Sequence, residues 1–283
     1  MRPQLYLLSL LVLAASHVRA QGFVNKSVLQ APSERAVATW TTTTFERVQA
    51  SVVYVAIEVD GPRGKFVIER ASSGVIVDAS GLVVTFHHLV KEMEGATDKR
   101  LFVQLNDARN TQIDAKVVGY DKATGLALLK FPPPAGVALR PVSVGSDRPD
   151  IGEPVLVVAR PDGKDMLAFG GVASNSLATV TFAGQQFSPR DLFLTDSRHD
   201  ERCDGGAVFG ADGSMLGIFA TEHVKPDIQD ATVEDLQKPS FGIVLAAFRV
   251  RRAFQKEFAA LSNATLKTGK ARSKHVLANA GTA

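Results

Sequence analysis

Three consecutive prolines, Pro132-Pro133-Pro134, split this 283-residue chain into two runs of short apolar segments. Proline donates no backbone hydrogen bond and fixes its own φ, so such a triplet cannot lie within a central strand. Ahead of it, strand-forming segments are predicted at 51–59, 66–69, 74–77, 82–85, 101–105, 113–120 and 126–131. Behind it they fall at 154–159, 168–177, 179–182, 192–194, 207–209, 214–220 and 240–245. Gly-Pro-Arg-Gly (61–64) and Ala-Ser-Gly (79–81) are turn signals between them. Many short strands at close spacing predict an all-β barrel or sandwich, and two series predict two barrels. Phe248, Val250, Phe254, Phe258 and Leu261 follow helical spacing, which predicts a closing helix over 246–262. A short helix is also predicted over 44–50, and Trp40 is expected to be a packing anchor.

The ends of the chain differ from its body. Arg2, the apolar stretch Leu5–Ala15 and Val18-Arg19-Ala20 have the charged, apolar and small-residue regions of an export signal, so residues 1–20 are expected to be a signal peptide. The stretch is too short to suit a membrane span. A lead-in without clear periodicity follows over 21–44. The expected location is therefore the periplasm or the extracellular space. Cys203 is the single cysteine, which excludes an internal disulfide. Residues 21–248 carry 22 basic and 28 acidic side chains, whereas from Arg249 onward eight are basic and one is acidic. The basic character is thus concentrated in the closing helix and a tail over 263–283, expected to be disordered, where contact with a polyanion is the functional reading.

Three segments carry the chemistry. The first runs from Ser73-Gly74-Val75-Ile76-Val77 to Thr85-Phe86-His87-His88-Leu89-Val90. The second is Val117-Val118-Gly119-Tyr120-Asp121 followed by Thr124-Gly125-Leu126-Ala127-Leu128-Leu129-Lys130. The third is Leu194-Thr195-Asp196 with Gly205-Gly206-Ala207-Val208 after eight residues. Together they resemble the HtrA/Deg family of trypsin-like serine proteases, over about residues 45–260. The resemblance implies a chymotrypsin/trypsin-like double β-barrel with a C-terminal helix: barrel one over about 45–134 and barrel two over about 135–245. It also implies that His88 occupies the position of the catalytic base. At the position of the orienting aspartate stands Gly125, and at that of the nucleophilic serine stands Asp204. Arg202 replaces an oxyanion-hole glycine.

A carboxylate is a poor acyl-transfer nucleophile and repels a developing oxyanion. The resemblance therefore implies a degenerate, catalytically inactive member that keeps a polypeptide or protein ligand. The alternative is an active serine-type endopeptidase using other residues. Cys203 is one residue out of register for a nucleophile, and Ser197 lacks the following Gly-Gly. His88 and Asp204, with His87, His199 and Asp200 nearby, could form at most a weak metal set, and no metal and no cofactor is expected. A PDZ domain, common after the protease domain in this family, is not expected in the few residues beyond the closing helix. The sequence sets no oligomeric state.

Overall fold

The structure is a computed structural model that describes residues 39–93, 96, 98–175, 180–182, 185–187, 190–197, 203–220, 224–226 and 242–260. Its first helix, α1 (Trp40–Val48), starts four residues before the predicted helix and continues into a 3-10 turn over Gln49–Ser51. Trp40 is 36% exposed, which corrects its expected role as an anchor; Thr44 and Val48 are the buried contacts of this helix.

Seven strands follow: β1 (Val52–Asp60), β2 (Phe66–Asp78), β3 (Leu82–Phe86), β4 (Lys99–Gln104), β5 (Gln112–Asp114), β6 (Lys116–Asp121) and β7 (Leu126–Lys130). They form one sheet in the order β5-β4-β1-β2-β3-β7-β6. Its two edge strands are successive parts of one chain segment, bent at Ala115, whose N–H still donates to Leu101 O at 2.9 Å. The sheet thus returns on itself through the chain. The bend splits the strand expected over 113–120 because β5 pairs with β4 while β6 pairs with β7.

The second series is β8 (Pro154–Ala159), β9 (Leu167–Asn175), β10 (Val180–Phe182), β11 (Gln185–Phe187), β12 (Leu192–Thr195), β13 (Ala207–Gly210), β14 (Met215–Phe219), β15 (Val224–Pro226) and β16 (Gly242–Ala246). Six of these close a barrel, β12-β16-β14-β13-β8-β9, and β11-β10-β15 form a small separate sheet. The fold is the predicted all-β double barrel. Its closing helix is interrupted: the helix over Ala247–Ala253 breaks at Phe254, where φ is −117°, and the chain is helical again over 255–260. No described helix is long and apolar enough to cross a membrane.

The apolar strands lack strict alternation because most bury both faces. Val53, Val55 and Ile57 of β1 point into barrel one with Leu101 and Val103, while Val52 joins a second cluster. Likewise Val155, Val157 and Ala159 of β8 line barrel two, and Leu156 and Val158 join that same second cluster. This shared cluster holds Val75, Val84 and Leu128 from barrel one with Ile218 and Leu245 from barrel two. It also receives Val250 and Phe254 from the closing helix. The barrels are thus fused through a continuous dry layer, and that layer fixes how their loops meet.

Candidate active site

The predicted site residues sit where strands of both barrels end. β3 runs directly into a one-turn helix, His87–Val90. Leu89 and Val90 of that turn are 1% exposed and plug barrel one, which fixes the backbone carrying His88. The His88 imidazole lies outside the described atoms. β7 pairs antiparallel with β3, Phe86 opposite Leu126. This register sets Gly125 beside the start of the His87–Val90 turn.

Gly125 ends a tightly closed turn. The Asp121 carboxylate accepts from the Thr124 N–H at 2.9 Å and from the Thr124 hydroxyl at 2.5 Å. The Gly125 N–H donates to Asp121 O at 2.9 Å, and its φ is +67°. That left-handed backbone suits glycine, since a Cβ there crowds the following carbonyl. Gly125→Asp is therefore expected to cost about 1 kcal/mol of stability, read as a lowered urea midpoint. An unchanged or higher midpoint would show that the turn accepts a side chain without strain.

Asp204 lies in the loop before β13 and is 4% exposed. Its carbonyl accepts from the Ser72 hydroxyl at 2.8 Å. Gly205 follows with φ +80°, and its N–H donates to Phe219 O at 3.0 Å. A Cβ at Gly205 would meet Ser73 O and lie 2.6 Å from Ser72 Oγ, so the loop approaches β2 at backbone contact. Cys203 is fully buried and packs inside barrel two with Phe193, Phe219 and Val244. Ser197 is also fully buried, its hydroxyl 2.9 Å from that of Thr195. Arg202, His199 and Asp200 lie outside the described residues. Among the described residues, no group of three or more His, Cys, Asp or Glu side chains converges.

Sequence reasoning missed the residues that hold these parts together. It placed a break at 70–73, yet β2 runs unbroken through Ser72 and Ser73. Besides the bond to Asp204, Ser73 O accepts from the Thr85 hydroxyl at 2.8 Å, three residues before His88. Ser73 Oγ accepts from the Arg160 N–H at 2.8 Å. One serine pair on β2 thereby ties the strand leading to His88, the loop of Asp204 and the end of β8. The available signal was two adjacent hydroxyl residues just ahead of Gly74 and the apolar run Val75–Val77.

Arg160 is fully buried. Its Nη1 donates to Gln104 O at 3.2 Å, and its Nη2 to Asn110 Oδ1 and Gly163 O, both at 2.7 Å. Gln104 and Asn110 belong to barrel one, so the guanidinium pins the barrels together. Burial pushes its pKa down, while Asp107 and Asp162 favour its charge.

A trypsin-like peptidase domain matches residues 72–218, from the serine pair on β2 to Ile218 on β14. The chain belongs to the trypsin-like peptidase family. Within that family it is of the HtrA/Deg type. It is 30% identical over 151 residues to the chloroplastic Protease Do-like 1 of Arabidopsis thaliana, covering 53% of this chain and 33% of that protein. Over 152 residues it is 29% identical to the periplasmic pH-dependent serine endoprotease DegQ of Escherichia coli, covering 53% and 31%. A third relative, the magnetosome formation protease MamE of Magnetospirillum gryphiswaldense, is 31% identical over 152 residues, covering 53% and 19%. This HtrA/Deg-type chain thus spans about a third or less of the length of these relatives. The crystal structure of Deg5 superposes with a TM-score of 0.54 at 25% identity, covering 64% of this chain and 84% of Deg5.

Proposed function

We propose that this chain is an exported trypsin-like domain that binds polypeptide without cleaving it. The observation that carries the reading is the residue in the nucleophile loop. Asp204 stands immediately before Gly205-Gly206, where the family resemblance expects serine. Its two nearest substitutes are turned elsewhere: the Cys203 side chain packs inside barrel two, and the Ser197 hydroxyl is held by Thr195. Loss of a triad serine or histidine in subtilisin costs about a millionfold in turnover. Loss of the orienting aspartate in trypsin costs about ten-thousandfold. With Gly125 and Asp204 at these positions, the family's orienting aspartate and nucleophilic serine are both replaced.

Peptide binding of the strand-addition kind draws on backbone hydrogen bonds and needs no nucleophile. Among the described residues both barrels keep buried apolar cores, so a surface that would hold such a ligand does not depend on the missing chemistry. The export reading rests on the pattern of residues 1–20 and on the periplasmic relative; a mature chain beginning at Gln21, read by intact mass, is the expected result, and a retained leader is the contrary one.

The experiment is a titration of fluorescein-labelled unfolded casein with the full chain. Saturable anisotropy without new fragments over long incubation is expected. Fragments that accumulate in proportion to protein, and vanish in His88→Ala, would establish an active endopeptidase instead. Absence of any binding would remove the polypeptide ligand.

A further inference from the structure

A second concave site lies where the linker between the barrels meets α1 and the β13–β14 turn. Its volume is about 300 Å³, at the lower end of the range of small-ligand pockets. Two arginines, Arg47 and Arg140, and three serines, Ser51, Ser143 and Ser214, line it, with Val48 and Val142 as apolar wall. The walls are fixed by backbone bonds to both barrels. Val142 N–H donates to Ile76 O at 2.9 Å in barrel one, and Met215 N–H donates to Ser143 O at 2.8 Å in barrel two.

The arginines are presented differently. Arg47 lies across Gly213, whose φ is +82°; a Cβ there would sit 2.8 Å from Arg47 Cδ. Its Nη1 donates to Asp212 O at 2.5 Å, which holds the guanidinium at the rim. Arg140 is exposed and makes no hydrogen bond or ion pair among the described residues. Asp212 is the one acid lining the cavity. Its Oδ1 already accepts from the Ser214 N–H at 2.9 Å and the Ser214 hydroxyl at 2.8 Å, and these bonds hold its carboxyl below the usual range. The lining therefore carries one net positive charge, on a body whose residues 21–248 are net acidic.

We propose that this cavity is a binding site for a small organic anion, its carboxylate or phosphate group held between Arg47 and Arg140 and its apolar part against Val48 and Val142. Guanidinium groups favour both anions through paired, charge-assisted hydrogen bonds, and the Ser51 and Ser143 hydroxyls are further donors, that of Ser214 being given to Asp212. Because the linker walls are bonded to both barrels, occupancy also braces the barrel junction.

The test is an amide-resolved NMR titration of the full chain with benzoate and, separately, inorganic phosphate, at constant ionic strength set by sodium chloride. Saturable shifts confined to residues around Ser51, Ser143 and Gly213–Ser214 are expected. Tighter binding of benzoate identifies a carboxylate with an apolar body; tighter binding of phosphate identifies a phosphate group. Arg140→Glu is expected to weaken either response by about tenfold to a hundredfold, the worth of one charged hydrogen-bonded contact. Arg140→Gln should weaken it in the same sense, and both variants leave distant amides unmoved because Arg140 makes no hydrogen bond or ion pair among the described residues. Absence of saturation through the millimolar range, shifts scattered over the surface, or a response unchanged in both variants overturns the site.

Discussion

Arg160→Ala is expected to lower stability by about 1–3 kcal/mol, and the melting temperature by about 2–12 °C. The guanidinium serves Gln104 O, Asn110 Oδ1 and Gly163 O in a fully buried position. Removing it leaves Gln104 O in a buried strand short of a donor, at about 1–3 kcal/mol if it stays unsatisfied, whereas Gly163 O still accepts from Gln104 Nε2 and the exposed Asn110 is open to water. The gain from no longer burying a charge offsets part of this, which is why the sum of the separate costs is not expected. Arg160→Met separates packing from hydrogen bonding, since it restores volume but not donors. Calorimetry on the three proteins should give similar losses for both variants. A loss below about 1 kcal/mol in Arg160→Ala would mean the barrel junction re-solvates cheaply.

Gly205→Ala is expected to cost about 2–4 kcal/mol, combining a left-handed residue with overpacking. The new methyl would run into Ser73 O and the Ser72 hydroxyl. Both belong to the serine pair that holds the Asp204 loop and the strand leading to His88. The loop must retreat from β2, so the Ser72–Asp204 bond is lost with the strain. Gly136→Ala is the control: φ there is +77°, and nothing lies within 4 Å of the added atom. It should show the conformational cost alone, about 1 kcal/mol. Equal losses in the two variants would show that the close approach at Gly205 contributes nothing.

The fold was readable because burial on two faces leaves a plain mark. Segments such as Val155–Ala159 and Leu126–Leu129 are apolar at every position, since one face lines a barrel and the other lies between barrels. The triple proline falls after β7, where no ladder needs the N–H groups that proline lacks. Features that depend on tertiary contact were less visible. Ser72 and Ser73 have poor strand propensity, yet pairing with Val55 and Tyr54 keeps them in β2. Nothing local in Ala159-Arg160-Pro161 announces a buried guanidinium, because two of its three acceptors lie 50 or more positions earlier, at Gln104 and Asn110. Trp40 was misread for a similar reason: a large aromatic at a helix start looks like an anchor, but Thr44 and Val48 face the core. The assignment of positions 88, 125 and 204 rests on the flanking motifs; the β3–β7 register sets Gly125 beside the turn carrying His88, and the Ser72–Ser73 bonds tie the Asp204 loop to β3.

The proposed function requires that this trypsin-like domain carry out no acyl-transfer chemistry. The most direct measurement is fluorophosphonate labelling of the full chain, with mass spectrometry of the adducts and DegQ treated in parallel. DegQ should be labelled, and this chain should remain unmodified over the same time. A stoichiometric adduct on any serine of this chain, lost in His88→Ala, would contradict the account.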